Sequence, residues 1–209
     1  MPLSLYRNIS HDSSYAIWHI TEEVSQLMAL LPEFDREGLQ PRHERARAEY
    51  AASRLVIKVL CEKSDITYEG ITKDKHNKPH LKGQEAYVSI SHSFPYAGAM
   101  VHRQTACGID IERKREKVST IAQKFVNEKE KHWVDGDITN LTILWSAKET
   151  LYKIYGRKRL AFKENMTVLP GANSNTSPLC GSVITETSEK TYNLGIERIE
   201  DFIITFLES

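Results

Sequence analysis

The stretch that most restricts the fold runs from Arg42 to Lys63, which contains neither Gly nor Pro and follows Pro41, a residue that suits the first turn of a helix. Within it Ala48, Ala51, Ala52, Leu55, Val56, Val59 and Leu60 recur at helical spacing and form one apolar stripe. Arg45, Arg47, Arg54 and Lys58 lie mostly off that stripe. A long helix with a single apolar stripe needs a second layer to pack on. The flanking segments read as strands that supply one. Tyr15–Ile20 and Tyr87–Ser91 are rich in β-formers, and Ala97–Val101 and Cys107–Glu112 are expected to form a hairpin. Glu22–Leu31 reads as a short helix stopped by Pro32, and Lys73–Pro79 as a polar, basic loop with Asn77 suited to a left-handed turn.

The second half repeats the mixture. Val118–Val134 is expected as one amphipathic helix, and Asp137 or Thr139 as the cap of another that runs to about Tyr155 and stops at Gly156. Strand signals follow at Met166–Leu169, Gly181–Thr187, Tyr192–Ile196 and Asp201–Leu207, with a loop at Asn173–Pro178. Helices interspersed with strands in both halves predict an α+β chain of two lobes, residues 1–105 and 106–209. No internal repeat is detectable in the sequence.

Charge excludes some partners. The 209 residues carry 28 basic and 28 acidic side chains, balanced in each half, so no basic arm for nucleic acid and no acidic tail is present. Cys61, Cys107 and Cys180 are far apart and form no CxxC pair, which supports neither a zinc ribbon nor a disulfide framework. No apolar run approaches the ~20 residues of a membrane helix, and Met1–Ser14 lacks the pattern of a signal peptide. The expectation is a cytoplasmic protein with reduced thiols, no membrane and no nucleic-acid partner.

Three groups of residues can carry chemistry. In Gly108-Ile109-Asp110-Ile111-Glu112, strand alternation puts Ile109 and Ile111 on one face and Asp110 and Glu112 on the other. Their Cα atoms are about 7 Å apart, close enough for two carboxylates to converge on one hard cation, though a wetted polar face has the same pattern. In Trp145-Ser-Ala-Lys-Glu149 with Lys153, helical spacing puts Leu141, Leu144, Trp145, Lys148, Leu151 and Tyr152 broadly on one side, and Glu149 and Lys153 one turn apart on another. Such a pair serves equally as a surface ion pair or as a carboxylate beside a phosphate-binding ammonium. Lys73, Lys78, Ser91 and His92, with Arg45 and Arg54, offer donors to an anion.

Taken in order, these segments resemble the Sfp-type 4′-phosphopantetheinyl transferases. The resemblance runs over residues 45–156: the helix Arg45–Arg54, then Asn77-Lys78-Pro79 where Gly-Lys-Pro is usual, Ser89-Ile-Ser-His-Ser93, Gly108–Glu112, Phe125 with Glu130, and Trp145–Glu149 with Lys153. Thr150 stands where Ala is common. The resemblance implies two similar α/β lobes with the active site in the cleft between them. The first lobe would contact the 3′-phosphate and adenine of coenzyme A, and the second would hold the metal and the catalytic groups. It further implies a monomer that transfers the phosphopantetheine arm of coenzyme A to a serine of an apo acyl carrier protein or peptidyl carrier domain, releasing 3′,5′-ADP, as fatty-acid, polyketide or nonribosomal-peptide assembly requires.

By the same resemblance, Asp110, Glu112 and Glu149 are expected to hold Mg²⁺, or Mn²⁺ in its place. Glu149 is also the expected proton acceptor, directly or through a metal-bound water, and Lys153 is expected on the phosphate. Arg45, Arg54, Lys73, Lys78, Pro79, Ser91 and His92 are the expected contacts of coenzyme A. The competing readings are a non-catalytic module that binds coenzyme A or a carrier, and a phosphohydrolase that uses water in place of the serine.

Overall fold

The computed structural model describes residues 3–37, 43–157, 160–171 and 178–208. The chain divides into two compact units, Met1–Cys107 and Gly108–Ser209. Both are helix-on-sheet, so the α+β class holds, with two antiparallel sheets.

The sheet of the first unit is formed by β1 (Leu3–Ser10), β2 (Ser13–His19), β3 (Ile71–Lys73), β4 (Pro79–Leu81), β5 (Tyr87–Ser93) and β6 (Tyr96–His102), in the order β1-β2-β6-β5-β4-β3. Three helices accompany it: α1 (Val24–Leu30), α2 (Glu33–Arg36) and α3 (Glu44–Lys63). The apolar stripe of α3 does what its spacing predicts. Ala48, Ala51, Ala52, Leu55, Val56 and Leu60 share one core with Ala16 and Trp18 of β2 and with Ala97, Ala99 and Val101 of β6. The small side chains on both surfaces let the helix lie close to the strands. α3 begins at Glu44, where the His43 ring accepts a hydrogen bond from the Ala46 N–H at 3.3 Å. Pro41 lies outside the described residues, as does the 173–178 loop apart from Pro178.

In the second unit the strands are β7 (Ile109–Arg113), β8 (Met166–Pro170), β9 (Leu179–Ile184), β10 (Glu189–Ile199) and β11 (Phe202–Leu207), in the order β7-β11-β10-β9-β8. The helices are α4 (Lys117–Ile121), α5 (Lys131–Val134), α6 (Ile138–Tyr155) and α7 (Phe162–Asn165). α6 has the two ends its sequence foretold. The Asp137 carboxylate accepts from the Asn140 N–H at 2.8 Å, and Gly156 closes the helix at a φ of 67°. Polar groups join α6 to β11: the Thr150 hydroxyl meets that of Thr205 at 2.7 Å and Ser146 meets it at 2.9 Å, all buried. Thr150, the departure from the usual Ala, thus has a partner of its own.

Two expectations fail. Ala97–Val101 and Cys107–Glu112 do not form a hairpin, because β6 already has β5 on one edge and β2 on the other, while β7 pairs with β11. The segment 118–134 is not one helix either. It breaks into α4, a 3₁₀ turn at Ala122–Lys124, and α5, because Phe125 turns inward and is buried and the Glu130 carboxylate takes the Asn127 N–H at 2.8 Å. Apolar spacing continues across the break and therefore hides it.

Candidate active site

β7 and α6 carry the site. Ile109 and Ile111 enter the core, and alternation puts Asp110 and Glu112 on the opposite face of the strand. That face is not simply wetted: Asp110 is only 4 % exposed. The strand lies close to the helix because position 108 is glycine. A Cβ there would meet the Thr150 carbonyl oxygen at 2.5 Å, closer than any side-chain-bearing residue tolerates.

From α6, Lys153 donates to Asp110 Oδ1 at 2.8 Å and to the Ile109 carbonyl at 2.9 Å. Trp145 Nε1–H donates to Glu112 Oε1 at 3.0 Å. Glu149 lies one turn before Lys153, and its carboxyl is pushed up to about 7, first by burial, then by the charges of Asp110 and Glu112, against the opposing pull of Lys153. Glu112 is raised as well, by burial and by Asp110, with the Trp145 hydrogen bond and Lys153 opposing. The three acids therefore sit in one another's field.

They do not yet form a ligand set. Among the described residues no three His, Cys, Asp or Glu side chains are gathered closely enough to hold a metal ion as they stand. The two observations differ because Asp110 is drawn to Lys153 and Glu112 to Trp145, while charge acts over a longer range than coordination. The donors nonetheless suit a hard divalent cation in kind: they are oxygen anions whose repulsion such an ion relieves.

The first unit brings several of the remaining candidates together. Lys73 and Pro79 face each other across the β3–β4 pair, and Asn77 adopts the expected left-handed turn at a φ of 67°. That turn is organised by Asp74, which sequence reasoning passed over: its carboxylate accepts from the N–H groups of His76 at 2.7 Å and Lys78 at 3.0 Å. Lys78 is partly buried, which lowers the pKa of its ammonium. Arg45 and His92 converge on Glu49, at 3.3 and 3.5 Å, and Ser91, next to His92 along β5, is buried. Arg45 also lies over the Phe94 ring, in the wall of a cavity of about 340 Å³ that includes Glu22, Glu23 and Glu44.

Arg54 stands apart. It is only 8 % exposed, with its guanidinium 3.6 Å from buried Asp35 and stacked over Tyr50 at 4.6 Å. The Asp35 partner, nineteen positions earlier in the chain, gives no periodic signal. Asp35 in turn accepts from the Tyr68 hydroxyl at 2.7 Å.

Residues 106–207 match the family described as the 4′-phosphopantetheinyl transferase superfamily. That span contains Asp110, Glu112, Trp145, Glu149 and Lys153, and begins after the last of the first unit's candidates. A search of curated proteins gives no match to the chain. No helix of the described residues is long and apolar enough to cross a membrane.

A pH dependence follows from Glu149. Its carboxyl has an ordinary value of 4.5 and about 7 in the fold, so between these values the folded chain keeps a proton that the unfolded chain has released. Folding stability of the metal-free protein therefore falls as pH rises through this window and levels off above it, by on the order of 2–3 kcal/mol. Melting curves in chelator from pH 4.5 to 8 are expected to show this loss in the wild type and a flatter profile in Glu149→Gln. Equal slopes in both proteins would contradict the assignment.

Proposed function

We propose that the chain transfers the 4′-phosphopantetheine arm of coenzyme A to a serine of an apo acyl carrier protein or peptidyl carrier domain, releasing 3′,5′-ADP. The observation that supports this most is the coupled set of Asp110 and Glu112 on β7 with Glu149 and Lys153 on α6, inside the span that matches the transferase superfamily. Asp110, Glu112 and Glu149 are the residues that would hold Mg²⁺ or Mn²⁺, which supplies charge neutralisation at the diphosphate.

The chain's own groups then have defined parts. The serine Oγ forms a bond to the phosphorus next to the pantetheine arm. The bond from that phosphorus to the bridging oxygen breaks, and its electron pair leaves on 3′,5′-ADP. The serine proton goes to Glu149, directly or through a water, the part a carboxylate within reach of the hydroxyl plays as a general base. Lys153, held by the Ile109 carbonyl and Asp110, keeps an ammonium at the place where phosphate charge develops.

In the first unit Lys73, Lys78, Pro79, Ser91, His92 and Arg45 are assigned to the 3′-phosphate and adenine of coenzyme A. Arg54, paired with Asp35, better fits a supporting part on α3 itself. Intact-mass analysis of several apo carriers incubated with the chain, coenzyme A and Mg²⁺ tests the reading. One phosphopantetheine is expected on at least one carrier. Coenzyme A bound without any mass gain would favour a binding module instead, and cleavage of coenzyme A without a carrier would favour a hydrolase.

The segment 113–117 holds four basic residues among five, with Arg113, Arg115 and Lys117 exposed, directly after the strand that carries the acids. It suits an acidic carrier. Arg113→Glu with Arg115→Glu is expected to raise KM for the carrier roughly 3–10-fold, most at low salt, and leave KM for coenzyme A unchanged. Equal changes in both constants would contradict the assignment.

A further inference from the structure

Lys148 and Glu130 form an ion pair at 2.8 Å in which neither side chain has any exposure, and no step of the transfer uses either group. We propose that this pair is a positioning device that fixes Glu112 by way of Trp145. The inference rests on the reading of Asp110, Glu112 and Glu149 as the acids that hold the divalent ion.

The ammonium of Lys148 gathers four oxygens. Its three N–H groups, one of them shared, reach Glu130 Oε2 and the carbonyls of Phe125 at 2.6 Å, Phe162 at 2.9 Å and Met166 at 3.0 Å. Glu130 is tied in turn to the backbone, accepting the Asn127 N–H on Oε2 at 2.8 Å and the Val168 N–H on Oε1 at 2.9 Å. Two separate stretches of chain, 125–130 and 162–168, are thus anchored to one point on α6. An apolar pair of similar volume would avoid the desolvation cost of burying two charges. It would not hold three carbonyls, because only a group with several N–H donors at one centre does that.

Two of the anchored residues grip Trp145. The rings of Phe125 and Phe162 lie 5.1 and 5.3 Å from the indole, edge-on at 67° and tilted at 38°. Trp145 stands one helical turn before Lys148 on α6, and its Nε1–H holds Glu112 Oε1. The sequence of contacts is continuous. The buried ammonium fixes two backbones, their rings fix the indole, and the indole fixes one oxygen of a carboxylate. Glu112 itself is half-buried near the end of β7, and the indole is what holds its Oε1.

The test uses the full chain, uniformly ¹⁵N-labelled, carrying Lys148→Met with Glu130→Gln so that no buried charge is orphaned. The indole N–H signal of Trp145 is assigned by its loss in Trp145→Phe. In the double variant that signal is expected to exchange with solvent at least tenfold faster. Mn²⁺ binding is expected to weaken about tenfold, as for other residues that orient a ligand, and kcat to fall with KM for coenzyme A unchanged. Trp145→Phe alone should weaken Mn²⁺ binding to a similar degree, and the combined variant no further.

Wild-type indole exchange and Mn²⁺ affinity in a folded double variant would overturn the proposal, as would losses that multiply in the combined variant. Phe162→Ala, which leaves the ion pair intact and removes one wall of the indole, covers the case in which the double variant does not fold. It should move both readouts the same way, and its failure to do so would also overturn the proposal. A wild-type chain that binds no Mn²⁺ and labels no carrier would remove the functional reading, and with it the assignment of Glu112. A wild type that does both, beside variants that match it, removes this inference alone.

Discussion

Glu149→Gln is expected to slow carrier labelling about 10²–10⁴-fold, the contribution usual for a positioned proton acceptor. The amide keeps the size of the side chain and its place on α6, so the loss should come from chemistry. On the proposed reading two functions disappear together: the acceptor of the serine proton, and one of the three anions that a divalent ion would meet. Coenzyme A should still bind, because its proposed contacts are carried by Lys73, Lys78, Ser91 and His92. The expected kinetic signature is therefore a collapsed kcat with KM for coenzyme A little changed. Glu149→Gln protein that labels a carrier at the wild-type rate would remove Glu149 from the mechanism.

Lys148→Met on its own is expected to be the most destabilising single change in the second unit. It leaves Glu130 without its cation at a site with no exposure, and it frees the carbonyls of Phe125, Phe162 and Met166 at the same moment. Breaking a buried pair in this way costs about 3–5 kcal/mol. For a chain of this size that lowers Tm by on the order of 10 °C. Adding Glu130→Gln should recover much of the loss, since the orphaned charge is then gone. A single variant that melts with the wild type would show that Glu130 takes up a proton or finds another partner.

How much of this could be read in the sequence depends on how local the cause is. The alternation in Ile109–Glu112 separates Ile109 and Ile111 from Asp110 and Glu112 as the strand does, and the caps of α6 at Asp137 and Gly156 are local signals that the structure repeats. The apolar side of α6 likewise predicts that Trp145 and Lys148 face inward. What a periodic pattern does not reveal is the partner. Lys148 finds Glu130, Trp145 finds Glu112 and Arg54 finds Asp35 only because the fold brings distant segments together. Arg54 is an example: it lies off the apolar stripe, and only the fold shows that the buried Asp35 carboxylate and the Tyr50 ring hold it inside. The break in 118–134 was hidden for the same reason, since its cause is the pull of Lys148 on Phe125 and Glu130 from another helix.

The central claim is that Asp110, Glu112 and Glu149 hold one divalent ion between them. It is tested most directly by counting bound Mn²⁺ with electron paramagnetic resonance in the presence of coenzyme A. The wild-type chain should take up one ion per molecule, and Asp110→Asn, Glu112→Gln and Glu149→Gln should each lose most of the affinity. Equal uptake by all four proteins would contradict the claim.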